Sequence, residues 1–301
     1  MAAPVGVMSS CDSSIWLSGM PARISSVAGA GRGSYLPWEK AKEGSDVEEI
    51  CRAIADIALL GVMKGEFGYW DNNTGKVIGI EADGAEQFLG VPYAAPPVGE
   101  RRFQAPAPVE RWTGEKIADV MAKPCSAPAG GDGPRYVNED CLYLNVYRPL
   151  GARVSAKLPV MVFLHGGAHV QGSPNIYDGA RMAQAGKALV VIPAFRIGVF
   201  GALALPDQGI AGGGFTVQDQ AAALIWVQRN AARLGGDPAD VTVMGQSAGG
   251  SDVCALLASP LGAGLFRQAI MQSGRCDNRT TLAVARGQAR DLGVALGCAG
   301  D

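Results

Sequence analysis

Apolar residues along the chain fall into short continuous runs separated by polar turns, with helical stripes between the later ones. Leu158–Leu164, Ala188–Ala194 and Val241–Met244 have strand length and almost no polar face, the pattern of strands covered on both sides. Cys141–Tyr147 and Arg267–Met271 read as further strands. Lys76–Glu81 and Glu86–Val91 read as a pair joined by a turn at Asp83-Gly84. Helical periodicity appears over Val217–Ala232, Ala248–Ala258 and Thr281–Leu296. In the last of these, Leu282, Ala285, Ala289, Leu292 and Leu296 share a face and Gly297 supplies a stop. Apolar strands alternating with helices predict an α/β fold, with a mostly parallel sheet and helices on both of its faces.

Residues 1–75 have a different texture. Small and polar residues dominate the first 45, with a Gly29-Ala-Gly-Arg-Gly33 cluster and no sustained period. No strand precedes that cluster and no helix opens on it, so it reads as a linker rather than a nucleotide loop. One helix follows: Ser45 and Glu48 form a capping box ahead of an apolar stripe at Ile50, Ala53, Ile54, Ile57 and Ala58. A poorly structured leader over 1–75 and an α/β domain over 76–301 are the expected organisation.

Composition narrows the chemistry. Lys+Arg 26 against Asp+Glu 28 offers no basic footprint for nucleic acid, and the longest apolar runs fall far short of a membrane span. The first thirty residues lack a basic start followed by an apolar core, so no signal peptide is read and cytoplasm and secretion both stay open. Seven cysteines form no CxxC pair and the only histidines are His165 and His169, so neither a metal site nor a cofactor is expected.

The sharpest motif is Val241-Thr-Val-Met-Gly-Gln-Ser-Ala-Gly-Gly250. A strand ends, a tight turn carries Ser247, and a helix begins, which is the context of a nucleophile elbow. Glycine at 245 and 249 fits a turn too tight for side chains on either side of the serine. Upstream, the strand Leu158–Leu164 ends in His165-Gly166-Gly167-Ala168, whose consecutive glycines can turn N–H groups toward a carbonyl oxygen attacked by Ser247.

Longer stretches carry a family likeness. Phe88-Leu-Gly-Val-Pro-Tyr-Ala-Ala-Pro-Pro-Val-Gly99, Glu139-Asp-Cys-Leu-Tyr-Leu-Asn-Val-Tyr-Arg-Pro149, Leu234 through Gly249, and Ser259 through Gly274 come in order. From about Lys76 onward the chain resembles the type-B carboxylesterases, the α/β-hydrolase family that also contains cholinesterases. The resemblance implies Ser247 as acylated nucleophile, an oxyanion hole of Gly166, Gly167 and Ala248, and a small-molecule carboxylic ester as substrate. It also pairs Cys125 with Cys141, against the alternative of two reduced thiols, and leaves Cys298 without its usual partner. Oligomeric state is not indicated. Ala168-His169 stands where the family has a small residue followed by an aromatic one, Ala194-Phe195-Arg196 where Asn-Tyr-Arg is more frequent, and Gly213-Gly214 where Gly-Asn is.

A serine needs a base, and no histidine follows Ser247. His165 is expected to brace the glycine loop, which leaves His169 as the spare imidazole, in a place that favours packing over catalysis. Of the later acids Asp252, Asp277 and Asp291, Asp277 is the least implausible substitute, because it follows a strand. The expected picture is the N-terminal part of an esterase domain, with acid and histidine on segments beyond Asp301 and little turnover in the chain alone. A non-catalytic cholinesterase-like binding domain, or a truncated gene product, is the alternative.

Overall fold

The computed structural model describes residues 69–71, 74–127, 138–205, 210, 213–277 and 280–298, all within one compact unit, Glu66–Asp301. The expected helix near Ser45 and the glycine cluster at 29–33 lie outside the described residues.

The strands are β1 (Tyr69–Asp71), β2 (Lys76–Ile78), β3 (Ile80–Ala82), β4 (Ala85–Pro92), β5 (Glu115–Ile117), β6 (Tyr143–Pro149), β7 (Leu158–Leu164), β8 (Leu189–Pro193), β9 (Gly236–Gln246) and β10 (Gln268–Gln272). The α-helices are α1 (Gly179–Gly186), α2 (Gly198–Ala202), α3 (Phe215–Asn230), α4 (Ala248–Ala258) and α5 (Leu282–Ala295). Seven strands form the main sheet, in the order β10-β9-β7-β8-β6-β4-β3, and β1-β2-β5 form a small second one. The strand expected over Lys76–Glu81 is divided between the two sheets at Gly79, where a Cβ would lie 2.4 Å from the carbonyl oxygen of Gln87.

The main sheet is mixed. Parallel pairing, expected for most of it, covers β8, β7, β9 and β10, while β3, β4, β6 and β8 pair antiparallel. The reason lies in the connections. A two-residue turn at Asp83-Gly84 can only reverse the chain, whereas the helices between the later strands allow parallel crossovers.

Alternation within the central strands sorts the core into two layers. Val160, Val162 and Leu164 of β7 join Leu224 and Val227 of α3 and Val253 and Leu256 of α4 in one cluster. Phe163 of β7 and Val190 and Ile192 of β8 join Ala180 and Ala183 of α1 in the other. Helices therefore cover both faces, and each fully buried Val, Leu or Ile contributes roughly 1.5–3 kcal/mol. The chain runs from β7 to β8 over one face and returns beneath the other to β9, on the opposite side of β7. Segments leaving β7 and β9 thus emerge side by side at one end of the sheet, where such reversals create a crevice.

Candidate active site

Strand register assembles the site. Leu164 of β7 lies opposite Gly245 of β9, so the loop after β7 and the turn after β9 begin level with each other. Ser247 occupies the N-cap of α4 with φ 55° and ψ −120°, a left-handed backbone for a residue with a side chain. It is held there from both sides. The Ser247 N–H donates to the carbonyl of Gln272 at the end of β10 (2.8 Å), and its carbonyl accepts from the Ser251 N–H (3.1 Å).

The flanking glycines are forced by backbone proximity. A Cβ on Gly245 would sit 2.1 Å from the carbonyl oxygen of Gly249, and one on Gly249 would sit 2.2 Å from that of Leu164. The glycine loop closes on the same turn: a Cβ on Gly166 would meet the Ser247 Cβ at 3.1 Å. Gly167, Ala168 and His169 all have positive φ (121°, 55° and 58°), and the Val170 and Gln171 N–H groups both donate to the Gly167 carbonyl at 3.0 Å, closing the loop into a tight turn. Ser247 is half-buried, and Ala248, whose N–H belongs to the open first turn of α4, is buried.

His165 braces the loop from beneath. It is buried, stacks on Phe195 with ring centroids 4.1 Å apart, and its Nδ1 lies 2.9 Å from the Gly166 carbonyl oxygen. Burial pushes its pKa down to about 4, so at neutral pH the ring is uncharged and Nδ1 carries the proton it donates to that carbonyl. The Gly166 N–H in turn donates to the Tyr177 hydroxyl at 3.3 Å. Phe195 is itself fixed by its neighbour: Arg196 is buried and makes a bidentate contact with Asp219 (2.8 and 2.7 Å), while its N–H donates to the same carboxyl.

The later acids separate clearly. Asp277 is exposed and faces Arg275, and Asp291 is exposed on α5. Asp252 is buried on α4, with one oxygen 2.8 Å from His169 Nε2 and the other accepting from Gln220 Nε2 at 2.7 Å. The only two histidines therefore support the same loop by different means. Cys125 and Cys141 are joined by a disulfide, as are Cys254 and Cys276, and Cys298 is free and exposed. The second bridge ties α4 to the segment after β10. Among the described residues no cluster of His, Cys, Asp or Glu could hold a metal ion, and no helix is long and apolar enough to cross a membrane.

The chain matches the model of the carboxylesterase family over residues 70–301. The chain belongs to that family. It is 44% identical to the para-nitrobenzyl esterase of Bacillus subtilis over 208 residues, which are 66% of this chain and 42% of that protein. Against the human cocaine esterase the identity is 40%, over 67% of this chain and 39% of that one. A solved PNB esterase superposes with a TM-score of 0.72 at 39% identity, covering 77% of this chain and 49% of the other. The fold of this carboxylesterase-family chain is thus the α/β-hydrolase fold, and the chain spans under half the length of these relatives.

Sequence reasoning missed three of the site's supporting residues. Tyr177 and Gln220 carry no motif of their own. Asp252 was visible as an acid five positions after Ser247, but nothing in the sequence joined it to His169, 83 positions earlier.

Proposed function

We propose that this chain carries the acylation half of a carboxylic ester hydrolase, with Ser247 as nucleophile. The observation that supports this most is the left-handed Ser247 at the junction of β9 and α4, with Gly166 packed against its Cβ. Ser247 Oγ attacks the ester carbonyl carbon and gives its proton to a base. The carbonyl oxygen becomes an oxyanion facing the N–H groups of Gly167 and Ala248, joined by Gly166, whose N–H also reaches the Tyr177 hydroxyl. The alcohol then leaves with a proton, and water hydrolyses the acyl-enzyme to a carboxylic acid and free Ser247.

Neither histidine is placed as the base of this step. His165 is spent on Gly166, and the Nε2 of His169 faces Asp252. We infer that the 301 residues alone turn over esters slowly, since loss of a triad base costs several powers of ten. The relative named for para-nitrobenzyl esters makes such an ester the natural probe. Steady-state assay of the purified chain should give weak turnover that disappears in Ser247→Ala. Fast turnover that survives Ser247→Ala would overturn the reading.

A further inference from the structure

His169 and Asp252 replace nothing in the acylation scheme, yet they join the oxyanion loop to the nucleophile's helix through a side-chain hydrogen bond. His169 ends the left-handed run Gly167–Ala168–His169, and its own φ of 58° is one that residues with side chains rarely adopt. Something must hold the loop in that coil. The His169 carbonyl accepts from the Gly198 N–H at the start of α2, and the imidazole reaches Asp252 on α4 at 2.8 Å. Asp252 cannot swing away easily, because it is buried and its second oxygen is held by Gln220 from α3. Gln220 is wholly buried, and among the described residues its Oε1 has no hydrogen-bond partner, while its Nε2 is directed at Asp252. His169 is thus tied to α2 through its carbonyl and to α4 through its imidazole, while α3 holds the Asp252 carboxylate in place.

We propose that the His169–Asp252 pair is a protonation-dependent clamp that positions the oxyanion loop against the helix carrying Ser247. His169 is a positioning residue in this scheme and touches no reacting atom. The proposal rests on the ester-hydrolase reading for its consequence, but the clamp itself can be seen without any ester.

The direction of the pH dependence follows from the surroundings. The hydrogen bond to Asp252 outweighs partial burial and holds the His169 imidazolium to higher pH than its usual 6.5. The other titratable group on its own loop is His165, which is uncharged at neutral pH. From α3 comes the uncharged Gln220, α2 supplies no titratable residue, and Arg196 just before α2 is closed on Asp219. Asp252 is therefore the charge that His169 answers to. A charge-assisted hydrogen bond is roughly twice as strong as a neutral one, so the clamp is firm while His169 is protonated and weakens as pH rises through its raised pKa.

With two histidines in the chain, the test is direct. In the full chain labelled at histidine, NMR titration should give one imidazole near pH 4 and one titrating above 6.5. Hydrogen exchange of the peptide spanning 166–172, corrected for intrinsic rates, should accelerate about tenfold as the second imidazole loses its proton. Asp252→Asn should lower that midpoint and leave the loop fast at every pH. His169→Gln keeps an amide donor to Asp252, so it should fold normally and exchange without the pH step. The same step in His169→Gln as in wild type, or an unmoved His169 midpoint in Asp252→Asn, overturns the clamp. Acylation of Ser247 by an activated aryl ester is read in parallel. The ratio of wild-type to His169→Gln rates should fall across the same midpoint. A constant ratio overturns the positioning role, whereas no acylation in either protein contradicts the esterase reading and leaves the clamp measured.

Discussion

Gly249 lies so close beneath the end of β7 that a Cβ on it would stand 2.2 Å from the carbonyl oxygen of Leu164 and 2.7 Å from that of His165. Both atoms are backbone, one at the last residue of β7 and the other at the first residue of the glycine loop that follows it. The elbow and the loop therefore leave no room between them for a side chain at this position. Gly249→Ala forces them apart. Overpacking of this kind costs about 1–3 kcal/mol, so urea unfolding should show a lower midpoint with an unchanged slope. Acylation of Ser247 should drop more than the stability loss explains, because the displaced atoms are those beside Ser247.

The buried His165 gives stability a specific acid limb. Its folded pKa of about 4 lies below the ordinary 6.5, so the unfolded chain binds the proton first as pH falls. Stability is full above 6.5 and is lost between 6.5 and 4, by up to about 3 kcal/mol. His169, whose pKa is raised, has the opposite sign and loses its contribution as pH rises through the folded value. Urea unfolding of wild type and His165→Gln at pH 7 and pH 4.5 separates the two. The variant should lose less stability on acidification than wild type.

The Cys125–Cys141 disulfide closes a 16-residue separation, for which the chain-entropy estimate is about 3 kcal/mol. The double variant Cys125→Ser, Cys141→Ser should unfold at correspondingly lower urea. Cys254–Cys276 acts elsewhere. It fastens α4 to the segment after β10, whose Gln272 carbonyl holds the Ser247 N–H, so reducing it should loosen the elbow more than the distant core. Hydrogen exchange over 245–251 before and after mild reduction measures that.

Much of this arrangement is written in local pattern. The run Leu158–Leu164 coincides with β7, and the helical stripe over 217–232 with α3 to within two residues at each end. Ser247 between two glycines announces its strained turn because only glycine clears the backbone atoms that surround it. β1, β5 and the eight-residue α1 escaped notice, being too short to develop a period. The antiparallel half of the sheet escaped because pairing direction depends on connections, and the turn at Asp83-Gly84 indicates only its own hairpin. Asp252 and His169 were both legible as residues and not as a pair. Their meeting is created by the β7–β9 register and the rise of α4, which no local window contains.

We propose that Ser247 is chemically competent as an acyl acceptor in this chain. Intact-mass analysis after exposure to an activated aryl acetate, followed by peptide mapping, tests it most directly. One acetyl group per chain is expected, located on Ser247 and absent from Ser247→Ala. Acetylation spread over lysines and other serines, equal in wild type and Ser247→Ala and leaving Ser247 unmodified, would contradict it.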